Sequence, residues 1–161
     1  MTHYKSNLRD IEFNLFEANR LESYLSAAPF EEFDHETVMD LLREIDRLAR
    51  EDFAASFVDA DRNPPRLEDG RVLLSDAIKA SLDAYYEGGW DRLAYPTELG
   101  GYGAPPSLNW AVEELLVGAN PGIYFYVSGG MMAGVLGEEG TPQRRSMAGL
   151  MWVPVSPKPS R

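Results

Sequence analysis

Cysteine is absent from this chain, and histidine occurs only twice, at His3 and His35. Without thiols there can be no disulfide, iron–sulfur cluster, thiolate zinc site or cysteine nucleophile. One imidazole lies in a terminus prone to fraying and the other beside a helix start, which does not suit a His-rich metal site or a Ser-His-Asp hydrolase. No metal is expected. Long apolar runs are missing as well: nothing approaches the roughly 18 uninterrupted apolar residues of a spanning helix. The opening MTHYKSNLRDIEF lacks the apolar centre of a secretory signal. A cytoplasmic chain with no membrane partner is the expectation. Positive charge is scarce, with 15 Lys and Arg against 26 Asp and Glu and a formal net charge of −11. Such a chain repels phosphate backbones, so nucleic acid is not an expected partner.

What is present is ordinary for a globular protein. The hydrophobic share is 44% and the charged share 25%, which excludes disordered and fibrous classes. A chain of 161 residues suffices for one domain with a real core.

The periodicities are helical throughout. Residues 7–25 set Leu8, Ile11, Leu15 and Phe16 on one face, with Asn7 as N-cap. A second helix is expected from Asp34, with the stripe Val38, Leu41, Leu42, Ile45, Leu48, Ala49 and Phe53, until Asn63-Pro64-Pro65 ends it. Residues 66–74 read as a turn with at most a short extended piece. Ser75 caps the next helix, which Gly88-Gly89 stops. After a loop rich in glycine and proline, Ser107 caps a helix carrying Leu108, Ala111, Val112, Leu115 and Leu116. Asn120-Pro121 and Thr141-Pro142 both place an N-cap before proline at the first helical position. No run alternates cleanly, so the expected class is an all-α helical bundle.

Residues 121–137 are apolar almost all round, which predicts a central helix. The aromatic and methionine band from Tyr124 to Met132 reads as core when taken alone. Its Ser128-Gly129-Gly130 interruption turns it toward a cavity wall, because packed cores rarely need two adjacent glycines in mid-helix. The run Gly100-Gly101-Tyr102-Gly103 lacks the lysine of a P-loop and the spacing of a dinucleotide turn, so it reads as a tight connection. Glu113-Glu114 and Glu138-Glu139 are adjacent pairs that a helix points in different directions, and they read as solvated faces. No catalytic residue is assigned.

The order of these signals carries a resemblance. Gly89-Trp90, Leu93, Tyr95-Pro96-Thr97-Glu98-Leu99-Gly100-Gly101-Tyr102-Gly103, Ala111 to Leu115 (AVEEL), Gly118-Ala119-Asn120-Pro121 and Gly140-Thr141-Pro142-Gln143 resemble the amino-terminal helical domain of acyl-CoA dehydrogenases. The opening YKSNLRDIEFNLFE and the ADRNPP segment resemble a longer, actinobacterial-type branch of that family. The resemblance implies an amino-terminal extension over residues 1–36, the helical domain over 37–151 and a disordered tail over 152–161. It implies membership of a flavoprotein oxidoreductase of fatty acid metabolism, in which a glutamate base takes the α-proton of an acyl-CoA and FAD accepts the β-hydride. By alignment, Tyr124, Phe125, Ser128, Gly129 and Met132 fall where the family lines its acyl chain.

After Trp152 the chain reads VPVSPKPSR where the family continues into its flavin-contacting motif, so a truncated chain is expected. FAD belongs to the full-length family, and no cofactor is expected for this chain alone. The alternative is a non-catalytic helical interaction module derived from the same scaffold. In either case an apolar face is left for self-association or for the absent middle and carboxy-terminal domains.

Overall fold

The computed structural model describes residues 3–97 and 100–148, and within them the chain is an all-α bundle with one small hairpin. The end of the expected last helix and the tail at 152–161 lie outside the described residues.

Helix α1 (Leu8–Glu12) runs into a wider π turn, Phe13–Ala18, and stops well short of residue 25. The cause is local. Asn19 donates both its backbone N–H and its side-chain amide to the carbonyl of Asn14, at 3.0 and 2.6 Å, which closes the helix. Asn7 stands at the N-cap position, but its side chain makes no capping bond.

Asp34 caps α2 (His35–Leu48) as expected, accepting from the Thr37 N–H at 2.8 Å. The rod continues through a π turn, Ala49–Phe53, into α3 (Ala54–Arg62). In that turn the N–H of Ala54 bonds back to Ala49 rather than to Arg50, which inserts one residue into the helix.

The segment read as a turn with at most a short extended piece forms a turn between two short strands: β1 (Arg66–Glu68) pairs antiparallel with β2 (Arg71–Leu73). Asp69 and Gly70 both take positive φ, 49° and 74°, the signature of an Asp-Gly hairpin turn.

Helix α4 (Asp76–Glu87) starts at Ser75, whose hydroxyl accepts from the Ile78 N–H. Helix α5 (Pro106–Ala119) begins one residue before the predicted cap, because proline at the first helical position already has helical φ and has no N–H to satisfy. Then follow α6 (Pro121–Val127), α7 (Gly129–Glu139) and α8 (Pro142–Ala148).

The core joins α1, α2, the π turn, α4, α5 and α6. Val38, Leu42, Ile45, Phe53, Leu108 and Ile123 are fully buried in it. A polar seam crosses this core. Ser81 donates to the Asp52 carbonyl and stands 2.8 Å from the Ser56 hydroxyl, while the Asn120 amide reaches the Phe53 carbonyl and the Ser56 hydroxyl, each at 3.3 Å. The carbonyls of the π turn thus find donors on α4 and at the start of α6.

The single central helix expected over residues 121–137 is not formed. Ser128 leaves helical geometry at ψ −2°, its hydroxyl donates to the Phe125 carbonyl at 2.9 Å, and two glycines follow. Phe125, Tyr126 and Val135 are exposed on the two pieces. The central position belongs instead to α5 and the α2–α3 rod. Among the described residues no helix is long and apolar enough to cross a membrane.

Candidate functional site

A cavity of about 290 Å³ opens between α4, the loop after it, α5 and the α6–α7 break. Each wall follows from local structure. On α5, Asn109, Val112, Glu113 and Leu116 recur at helical spacing and share one face. Asn120 caps α6 by accepting from the Ile123 N–H at 3.3 Å, which sets Tyr124 toward α5 one turn later. Tyr85 comes from α4, and Trp90, Asp91 and Tyr95 from the loop. Gly134 and Gly137 form the α7 side, where the lack of side chains leaves room.

The polar groups of the cavity are linked. Asn109 donates its amide to a Glu113 carboxylate oxygen at 2.8 Å, and the Tyr124 phenol lies within the field of the same carboxylate. Burial, with the charge of Glu113 behind it, pushes the Tyr124 phenol up to about 12. Tyr95 also rises to about 12, through burial and then Asp91, and Tyr85 rises further through burial, with Asp91 as its largest electrostatic cause. All three phenols therefore stay protonated near neutral pH.

Of the residues singled out from sequence, Tyr124 and Ser128 line this cavity. Phe125 is 76% exposed on the other side of α6. Gly129 is half-buried at the first position of α7, and the side chain of Met132 lies outside what the structure describes. Glu113 was read as part of a solvated pair, yet only Glu114 is exposed, while Glu113 is half-buried at the cavity. The readable signal was the spacing 109, 112, 113, 116, which sets Glu113 on the same face as Val112 and Leu116.

The glycine run is a closed turn. Gly100, Gly101, Tyr102, Gly103 and Ala104 donate their amides to Thr97, Pro96, Arg92, Tyr95 and Leu93 in that order. A Cβ on Gly101 would lie 2.2 Å from the Tyr95 carbonyl oxygen, so the close approach requires glycine. With its amides satisfied inside the turn, the run has none left for a phosphate. Among the described residues no group of three or more His, Asp or Glu side chains is placed to hold a metal ion.

No family model matches the sequence. Over 150 residues, 92% of the chain, it is 39% identical to the broad-specificity linear acyl-CoA dehydrogenase FadE5 of Mycobacterium tuberculosis. Its homologues are acyl-CoA dehydrogenases. A second acyl-CoA dehydrogenase, the 3-methylmercaptopropionyl-CoA dehydrogenase of Ruegeria pomeroyi, is 28% identical over 117 residues, 73% of the chain. The matched stretches make up 24% and 20% of these two relatives, so the chain spans about a quarter of their length or less.

Proposed function

We propose that the chain is the amino-terminal helical portion of a flavin-dependent acyl-CoA dehydrogenase and supplies part of the wall of its acyl pocket. In this reading residues 37–151 form the domain, residues 1–36 are an extension docked on it, and the wall comprises Tyr124, Phe125, Ser128, Gly129 and Met132, of which Tyr124 and Ser128 line the cavity. The observation that carries it is the cavity at the α6–α7 break, apolar over most of its surface and floored by glycines. An alkyl chain needs such a surface, since it gains roughly 0.8 kcal/mol for each methylene buried.

FAD, which accepts the hydride in the family reaction, does not fit this cavity or the glycine run. A cavity of about 290 Å³ lies at the lower end of ligand sites, too small for a dinucleotide, and the glycine run offers no free amide for a pyrophosphate. No step through flavin is assigned to these residues. The purified chain is expected to be colourless and inert towards acyl-CoA.

Calorimetric titration with acyl-CoAs of increasing length tests this. The expected result is affinity that rises with chain length and falls in Tyr124→Ala. Equal binding of coenzyme A without an acyl chain would overturn the pocket assignment. Stoichiometric yellow flavin, with dye reduction abolished by replacing a carboxylate of this chain, would overturn the inert portion.

A second reading, a non-catalytic interaction module, is favoured by Trp110, Phe125, Val135 and Met147, large apolar side chains standing in solvent. Sedimentation analysis checks it: a tight self-complex dispersed by Phe125→Ser would support the module, and a monomer at all concentrations would count against a self-association face.

A further inference from the structure

The cavity has a chemical character beyond apolar space. Among the described residues that line it, Tyr85, Trp90, Tyr95 and Tyr124 contribute aromatic rings, Asp91 and Glu113 contribute carboxylates, and there is no lysine, arginine or histidine. Glu113 is held rather than free to swing away, since Asn109 donates to it at 2.8 Å. An ionised carboxylate offers about four lone-pair positions, so one donor leaves most of its charge turned outward. The phenol groups of Tyr85, Tyr95 and Tyr124 are all within the field of Asp91 or Glu113, so both negative charges act on the same small volume.

A plain alkyl terminus needs no carboxylate in its pocket. Rings and acidic groups around a confined space are instead the chemistry that holds an alkylated ammonium. Ring faces attract the cation, the carboxylates stabilise it at longer range, and its methyl groups keep apolar contact with the walls. A ligand carboxylate in the same place would meet like charge where water is reduced.

We propose that this cavity selects by charge, accepting a chain end that carries an alkylated ammonium and rejecting one that carries a carboxylate, with Glu113 as the selecting residue. The acyl part of the statement rests on the acyl-wall reading above, whereas the cation preference does not.

The test is calorimetric titration of the whole chain with four probes. These are tetramethylammonium chloride alone, 4-trimethylammoniobutyryl-CoA, its uncharged isostere 5,5-dimethylhexanoyl-CoA, and adipyl-CoA, which ends in a carboxylate. The expected order is cationic over neutral by about tenfold, neutral over anionic, and measurable binding of tetramethylammonium. Glu113→Gln keeps the shape and an acceptor for Asn109, and should bring the cationic and neutral ligands to within about twofold of each other. Glu114→Gln, on the exposed side of α5, should leave the order unchanged, and circular dichroism verifies that both variants fold.

If the neutral isostere binds as well as the cationic ligand, or adipyl-CoA binds equally, charge selection is overturned while the acyl wall stands. If tetramethylammonium binds and no acyl-CoA does, the cation site stands and the acyl wall falls. If nothing binds, both are overturned.

Discussion

In the half built on α2 and the inner face of α5, Val38, Leu42, Ile45 and Leu108 have no exposed surface, and Trp110 is exposed only on the outer face of α5; in the half built on α6, α7 and α8 Ile123 is buried, but Phe125 is 76% exposed and Val135 and Met147 also stand in solvent. Both halves are rich in apolar residues, and the distribution separates them. On α2 the apolar residues form one stripe, and a stripe is satisfied by one neighbouring surface. On α6 and α7 they point all round, and burying every side would take neighbours on every side. Here α7 packs chiefly on α8 and touches α6 only lightly. Apolar composition measures the demand for cover, not its supply.

Four experiments sharpen or break this contrast. The largest effect is expected from Phe53→Ala, because Phe53 is fully buried where the π turn meets α5 and Tyr85. Truncation should cost about 3–5 kcal/mol in chemical denaturation, and a loss below about 1 kcal/mol would mean that this half is no better packed than the other. Next is Asn120→Ala, which removes two bonds across the seam and the cap that accepts from the buried Ile123 N–H. About 2–3 kcal/mol should be lost. Asn120→Asp should restore the cap but not the two donated bonds, and a stability equal to that of the unsubstituted chain would show that the seam contributes nothing.

The third effect is one of pH. Tyr4, Tyr95 and Tyr124 are each raised to about 12 in the folded chain, burial being the first cause in each case. A raised acid favours the folded state while it is protonated. The contribution is therefore fully present below the ordinary tyrosine value near 10 and is lost as pH rises from there through about 12. Absorbance of tyrosinate and denaturation midpoints, followed together across that window, should show delayed ionisation and falling stability; flat midpoints would contradict it. The smallest effect is expected from Phe125→Ser, within about 0.5 kcal/mol, since the ring has little cover to lose. A large loss there would dissolve the contrast between the halves.

Most helix starts could be read from sequence because a cap is a local event. Asp34, Ser75 and Asn120 each accept from the N–H three residues on, and the side chain and its target lie within one turn. The π turns could not be read, since one inserted residue barely disturbs the apolar stripe that marks a helix. What places the second π turn is the set of donors waiting on Ser81 and Asn120, far away in sequence. At the cavity, Tyr124 and Ser128 were legible through their apolar neighbourhood and the glycines beside them. Glu113 was not, because a carboxylate on a helix resembles a solvated one until its partners are known. Asn109 is a visible partner at i−4, but Tyr124 comes within its field only after the chain has turned at Asn120.

The residue inserted at Ala49–Phe53 also acts as a change of phase. An α-helix turns about 100° per residue, so one extra residue rotates everything after it by that amount relative to everything before. Residues of α2 therefore face α5, while α3, on the same continuous rod, faces α4. Deleting one residue there would leave a regular and unstrained helix, yet would swing Ser56 and the whole of α3 away from Ser81 and Asn120 together. The segment behaves as a coupling between two gears, in which a shift of one tooth misaligns every later contact at once.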